Sequence, residues 1–209
     1  MFDLDGTLVD SVPVILRAFR EVHEQMGIPF DEPAVRKLVG IPLERQAERF
    51  AGERAQEFIR RYVPLYAAYQ TQDMRLFPGT VETLDQLRRR GYRLGLVTSK
   101  SSREVDRVLG RTGIGARFEV VVTADDAVNH KPHPEPILKA LELLKLRPEE
   151  VLYVGDSLFD IEAARKAGVE VAAVSWGART KDELLAACPD RVFDTWQEFL
   201  GRLPPGGSP

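Results

Sequence analysis

Apolar residues in the second half of this chain fall into short runs that stop abruptly at polar ones. Tyr92-Arg93-Leu94-Gly95-Leu96-Val97 leads to Thr98-Ser99-Lys100, and Phe118-Glu119-Val120-Val121-Val122 leads to Thr123 and the Asp125-Asp126 pair. Val151-Leu152-Tyr153-Val154 leads to Gly155-Asp156-Ser157. Runs of this length bounded by turn residues read as buried strands. Between them, apolar residues recur at three- and four-residue spacing over 80–90, 103–112, 134–145 and 158–167, with Gly91, Gly113 and Gly168 at the stops. Residues 169–174 and 191–193 read as two further strands, the last followed by a closing helix from about Trp196. Strands alternating with helices predict an α/β fold, a doubly wound parallel sheet with both faces covered. In such sheets ligands gather outside the carboxyl ends of the strands.

Residues 13–74 break that rhythm. Segments 13–26, 32–38, 43–50 and 53–72 read as four helices, punctuated by Gly27-Ile28-Pro29, Gly40-Ile41-Pro42 and Ala51-Gly52. The expected division is a core of residues 1–12 and 77–200, an inserted helical cap of 13–76, and a low-complexity, disordered tail of 201–209. A helical insertion whose two connections lie side by side has the geometry of a lid; the plainer alternative is a helical part of one core.

Composition narrows the field. A net charge of −3 over 209 residues, with no basic block, gives no nucleic-acid footprint. With 44% hydrophobic and 29% charged residues, the chain reads as an ordinary soluble globular protein. Cys188 is the single cysteine, so no internal disulfide can form, and it is expected to be a small buried residue near a helix end. No apolar run is long enough for a membrane span, and acids at positions 3 and 5 do not fit a signal peptide, so a cytoplasmic location is expected. Only Met1 and Phe2 precede Asp3, so either the first strand is short or the natural start lies upstream.

The chemistry centres on Phe2-Asp3-Leu4-Asp5-Gly6-Thr7. On an extended backbone, Asp3 and Asp5 point the same way, and a strand ending at Asp3 places both acids at the carboxyl edge of the sheet. Thr98 and Ser99, Lys131, and Asp156 with Asp160 fall at other strand ends or loops. Phosphoryl transfer needs such a set: a nucleophile, an acid/base, hydroxyl donors, a cation and a hard-metal site of oxygens. Asp3 can attack phosphorus, and Asp5 can protonate the leaving oxygen and later activate water. Thr98 and Ser99 can donate to phosphate oxygens and Lys131 can supply a point charge, while Asp156 can join Asp3 around Mg²⁺. Each residue also has a plainer role. Asp-Gly is a common turn, Thr98-Ser99 or Asp156 can cap a following helix, Asp160 suits a first helical turn, and Lys131 can be a solvated loop lysine. Ser101 or Ser102 can equally serve the helix that follows them.

As a set, Asp3-Leu4-Asp5-Gly6-Thr7, Val97-Thr98-Ser99, Lys131-Pro132 and Gly155-Asp156-Ser157-Leu158-Phe159-Asp160 closely resemble the haloacid dehalogenase-like hydrolases, across nearly all of residues 1–200. The resemblance implies a Rossmann-like core with an inserted helical cap, Asp3 as nucleophile and Asp5 as acid/base. It implies Mg²⁺ on the Asp3 carboxylate, the Asp5 main-chain carbonyl and Asp156, with Asp160 fixing those ligands or Lys131, or adding a metal contact. Haloacid dehalogenases lack the second acid of the first motif, so Asp5 points to phosphorus rather than carbon–halogen chemistry. The loops at 123–126, 131–136 and 172–176 look most like the inorganic pyrophosphatases of the superfamily, then the phosphoglycolate phosphatases, and Gly40-Ile41-Pro42-Leu43 fits either. A small phosphorylated substrate, or pyrophosphate, is the expected partner. Gly40 and Arg45 are the cap's candidate substrate contacts, although Arg45 also reads as a solvated helix arginine. A phosphomutase of the β-phosphoglucomutase type and a non-catalytic binding protein on the same scaffold are the alternatives. Oligomeric state is not legible.

Overall fold

The computed structural model describes residues 1–204. In chain order, the first elements are β1 (Val9–Asp10), α1 (Val12–Met26), α2 (Glu32–Leu38), α3 (Leu43–Ala51), α4 (Ala55–Asp73) and β2 (Arg75–Leu76). There follow α5 (Thr80–Arg89), β3 (Gly95–Val97), α6 (Ser102–Thr112), β4 (Val120–Val122), α7 (Glu135–Leu144) and β5 (Leu152–Gly155). The chain continues through α8 (Leu158–Lys166), β6 (Glu170–Val174), α9 (Lys181–Ala186), β7 (Arg191–Phe193) and α10 (Trp196–Arg202).

Phe2 sits at the middle of the sheet. It forms parallel bridges to Leu96 of β3 on one side and to Val154 of β5 on the other. Its N–H donates to Gly95 O at 2.8 Å, and the Asp3 N–H to Val154 O at 2.8 Å. With β3 paired to β4, and β5 to β6 and β7, all in parallel, the order is β4-β3-Phe2-β5-β6-β7. Alternate residues of the strands bury to opposite faces. Leu96, Val154, Ala172 and Val174 join one cluster with residues of α5, α6 and α10; Val97, Tyr153, Val171 and Ala173 join another with α7, α8 and α9. Burial on both faces is why these strands read as continuous apolar runs rather than alternating ones.

The helical stretch α1–α4 builds an aromatic centre of its own. Phe19 lies 4.9 Å from Tyr62, 5.2 Å from Phe58 and 5.9 Å from Phe50, centroid to centroid. That centre is nevertheless continuous with the apolar cluster under the sheet through Leu4, Leu8, Val9 and Val12. Where the chain leaves and rejoins the sheet, β1 and β2 pair antiparallel, Val9 with Leu76 and Asp10 with Arg75. This two-residue ladder was not expected from the sequence, because no apolar alternation extends far enough to mark it.

Other expectations need correction. α9 was not anticipated: six residues are too few for a periodic signal, although Thr180 caps it by accepting from the Glu183 N–H. Residues 201–204, expected as part of a disordered tail, are ordered: α10 runs through Arg202 and the Tyr92 hydroxyl donates to Pro204 O at 2.6 Å. Residues 205–209, the rest of that expected tail, lie outside the described residues. Cys188 is exposed rather than buried, because it occupies a positive-φ turn (φ 52°) just beyond α9. No helix among the described residues is long and apolar enough to cross a membrane.

Candidate active site

The loop after Asp3 turns sharply enough to lie against the loop after β5. Gly6 makes this possible: its φ is 74°, and a Cβ there would stand 2.2 Å from Asp156 Oδ2. Any side chain would have to displace a buried carboxylate. The turn delivers the Thr7 hydroxyl to Asp156 Oδ1 at 3.1 Å, while the Ala178 N–H donates to Asp156 Oδ2 at 2.6 Å. Asp156 does not cap α8. Ser157 does, accepting from the Asp160 N–H at 3.2 Å, which leaves Asp156 turned toward Asp3.

Lys131 is no solvated loop lysine. Its ammonium is almost wholly buried and donates to Asp3 Oδ1 at 2.8 Å, Asp160 Oδ1 at 2.7 Å and the Tyr153 hydroxyl at 3.1 Å. Asp160 is saturated: its second oxygen accepts from the Ser157 N–H at 3.1 Å and the Ser157 hydroxyl at 2.6 Å. It therefore reads as the group that fixes Lys131, with no lone pair left unengaged on its α8 side. His133 is exposed, and its Nδ1 accepts from the Glu135 N–H at 3.2 Å, a loop role.

One lysine serves three buried carboxylates, for oxygens of Asp3, Asp156 and Asp160 all lie within 4.8 Å of one another. The imbalance appears in their proton affinities. Burial, moderated by Lys131 and reinforced by Asp160, pushes Asp3 up to about 7. Burial, then Asp160 and Asp3, pushes Asp156 well above the usual carboxylate range. Burial pulls Lys131 down, but Asp160 and Asp3 outweigh it and hold the ammonium charged. An all-oxygen site with excess negative charge and only neutral donors on Asp156 fits a hard divalent cation such as Mg²⁺.

A cavity of about 50 Å³ opens over the acids, lined by Asp3, Asp5, Thr98, Ser99, Lys100 and Glu104 from the core and by residues of α1–α4 opposite. The Thr98 hydroxyl accepts from the Lys100 N–H at 3.3 Å, and Ser101 with Glu104 caps α6, so neither Thr98 nor Ser99 is spent on capping. Gly40 lines the cavity, with φ 108° and the place of a Cβ only 2.9 Å from Ser157 Oγ. Arg45 does not line it. It is exposed, because the face of α3 turned inward carries Leu43 and Gln46 instead.

The cation that does face the cavity is Lys100, which sequence reasoning left as part of a strand-end run. Its buried ammonium lies 3.0 Å from Asp5 Oδ2 and donates to the Tyr66 hydroxyl of α4 at 2.7 Å. Tyr66 stacks on Tyr62 with centroids 5.3 Å apart. Arg179, also buried, donates to Lys37 O at the end of α2, and so ties the loop after β6 to the helical segment. The Thr98-Ser99-Lys100 run directly after a buried strand was the available signal for Lys100; Thr7 lay in the first motif without a role of its own, and Arg179 carried no signal. Trp176 packs: its N–H donates to Thr7 O at 3.0 Å, and its ring lies 4.6 Å from Trp196.

The haloacid dehalogenase-like hydrolase family matches residues 1–174. The chain belongs to that family. Among relatives, it is 34% identical to the pyrophosphatase PpaX of Bacillus cereus (strain B4264), with 96% of this chain and 93% of that one covered. It is also 34% identical to a phosphoglycolate phosphatase of Nitrosococcus oceani, with 97% and 95% covered. A haloacid dehalogenase-like family hydrolase from Streptococcus pneumoniae superposes with a TM-score of 0.84 at 30% identity, covering 96% of this chain and 95% of that one. Those matches extend the likeness of this haloacid dehalogenase-like chain well beyond its motifs, to the helical segment as well.

The raised Asp3 value gives a signed expectation. Free aspartate ionises near 3.8, whereas Asp3 in the fold keeps its proton to about 7. Between those values the folded state binds more protons than the unfolded one, so without a cation stability falls as pH rises through the window. Bound Mg²⁺ needs the carboxylate and competes with that proton. Mg²⁺ is therefore expected to raise Tm more at pH 8 than at pH 5 in differential scanning fluorimetry. An equal shift at both values would contradict the assignment.

Proposed function

We propose that this chain is a Mg²⁺-dependent phosphohydrolase that works through an aspartyl-phosphate on Asp3, with pyrophosphate as its preferred substrate. The observation that carries the reading is the Asp3 carboxylate, held by Lys131 at the sheet edge and open to a cavity that Asp5 also lines. In the first step Asp3 attacks phosphorus, the bond to the leaving oxygen breaks, and Asp5 supplies a proton to that oxygen. In the second, water attacks the same phosphorus, the bond to Asp3 breaks, and Asp5 takes the proton. Thr98, Ser99 and Lys131 hold the oxygens of the transferring group. Mg²⁺, held by the Asp3 carboxylate, the Asp5 main-chain carbonyl and Asp156, would neutralise charge on that group.

Residues 13–76 act as the cap in this reading. Contacts of Tyr66 with Lys100 and of Arg179 with Lys37 support it, since both join the helical segment to the rim of the cavity. A substrate held under such a cap is small. Pyrophosphate is favoured by the likeness to PpaX and by Lys100, a cation on the Asp5 side where a leaving phosphate would need one. Phosphoglycolate phosphatase activity is the second reading: the Nitrosococcus relative is as similar, and Lys100 would suit a carboxylate as well. A phosphomutase would move phosphate rather than release it.

Asp3→Asn is expected to abolish turnover in a protein that still unfolds cooperatively, and Asp5→Asn to lower it by roughly 10²–10⁴-fold. Steady-state kinetics with Mg²⁺ should give the highest kcat/KM for pyrophosphate, above 2-phosphoglycolate and hexose phosphates. A tenfold advantage for 2-phosphoglycolate would reverse the substrate assignment and leave the residue roles standing. Substantial activity in folded Asp3→Asn would reject Asp3 as the nucleophile.

A further inference from the structure

Facing the acids, the cap wall of the cavity is apolar except at one side chain. Ile15, Val39, Ile41 and Leu43 line it, with Tyr62 beyond and Gln46 among them. Gln46 is 8% exposed, and its amide orientation is fixed by chemistry: Nε2 donates to Ile41 O at 2.8 Å, an atom that can only accept. Its carbonyl oxygen is thus the end left over, and Oε1 has no hydrogen-bond partner. Two more side chains that line the same cavity carry a buried polar atom without a partner, Asp5 Oδ1 and Ser99 Oγ. A buried acceptor left unsatisfied costs about 1–3 kcal/mol, so three orphans around one small space point to an occupant that satisfies them. About 50 Å³ is the scale of a few water molecules.

We propose that Gln46 Oε1 positions the water that hydrolyses the aspartyl-phosphate. The inference rests on the phosphohydrolase reading above and adds a residue to its second step. The attacking water has two hydrogens. One passes to Asp5 as the water oxygen bonds to phosphorus and the phosphorus–Asp3 oxygen bond breaks. The other needs an acceptor that holds it without taking the proton, and an amide carbonyl does that. Held at both hydrogens, the water presents its lone pair to phosphorus from the side opposite Asp3, the in-line geometry that displacement needs. Leu43 and Val39 beside it exclude competing solvent. Gln46 is then a cap residue that makes the enzyme release phosphate instead of retaining it on Asp3.

The test separates the two chemical steps, using 4-nitrophenyl phosphate with Mg²⁺. When only dephosphorylation slows, kcat and KM fall together, kcat/KM stays constant, and the covalent enzyme accumulates as a burst of nitrophenolate. Gln46→Met removes the acceptor while keeping the length of the arm. It is expected to lower kcat and KM in parallel by roughly 10-fold or more, with a burst approaching one nitrophenolate per enzyme and acid-stable phosphate on the protein. Gln46→Glu returns an oxygen to the same arm and is expected to turn over faster than Gln46→Met. A loss of kcat/KM with no burst would mean that Gln46 only shapes the 41–46 turn, and unchanged kinetics would mean that it does nothing to the water; either overturns the proposal. Failure of the underlying reading looks different: protein-bound phosphate would persist in Asp3→Asn carrying Gln46→Met.

Discussion

One ammonium group fixes the geometry on which the site depends. Lys131 bridges Asp3 and Asp160 at 2.8 and 2.7 Å with its side chain almost wholly buried. A lone charge so deeply buried would be strongly unfavourable, and so would either carboxylate without its partner. Because the three are satisfied only together, the end of the Phe2 segment, the first turn of α8 and the loop before α7 are locked to one another. Tyr153 extends the lock to β3, since its hydroxyl lies 3.1 Å from both Val97 O and Asp160 Oδ1. In the proposed mechanism Asp3 is the nucleophile, and such fixation suits that role, for a displacement of about 1 Å in the reacting atom costs orders of magnitude in rate.

The same cluster carries surplus negative charge that would favour a cation beside it. Lys131 neutralises only part of the charge of Asp3, Asp156 and Asp160, and Asp156 is met by a hydroxyl and an amide N–H alone. The fold accepts this surplus as a standing instability, which is the usual condition of a site built for chemistry rather than for stability. On the other side of Asp5, Lys100 balances the second acid and reaches α4 through Tyr66, so charge pairing also connects the helical segment to the sheet.

Most of the fold was legible because periodicity and punctuation agreed. Arg191–Phe193 and Glu32–Leu38 lie where the sequence placed them; β3 and β4 begin later than the apolar runs did, and β5 is shifted by one residue to Leu152–Gly155. What escaped was either too short to show a period, as with α9 and the β1–β2 ladder, or depended on distant partners. The motif residues Asp3, Asp156, Lys131 and Asp160 were visible as strand-end and loop polar groups, and the structure brings them together. Lys100 and Gln46 were not, since nothing local distinguishes a lysine aimed at Asp5 or a glutamine facing a cavity from their solvated counterparts; Thr7 lay in the first motif, but its bond to Asp156 depends on the fold. Arg45 was a candidate for its charge just after a turn, but its plainer reading as a solvated helix arginine holds, since helical register sends it outward and turns Gln46 in. Charge is read easily in a sequence; the direction a side chain takes is set by packing.

The most direct test of the Lys131 lock is a double-mutant cycle in urea unfolding, using Lys131→Met and Asp160→Asn. Asparagine keeps an oxygen for the Ser157 contacts, so the cycle isolates the charge pairing. Removing Lys131 alone is expected to cost about 3–5 kcal/mol, as loss of one partner from a buried pair does. Adding Asp160→Asn should return part of that loss, giving a coupling energy of about 0.5–3 kcal/mol. Additive losses would show that Lys131 and Asp160 do not act as a unit, and would contradict the account at its centre.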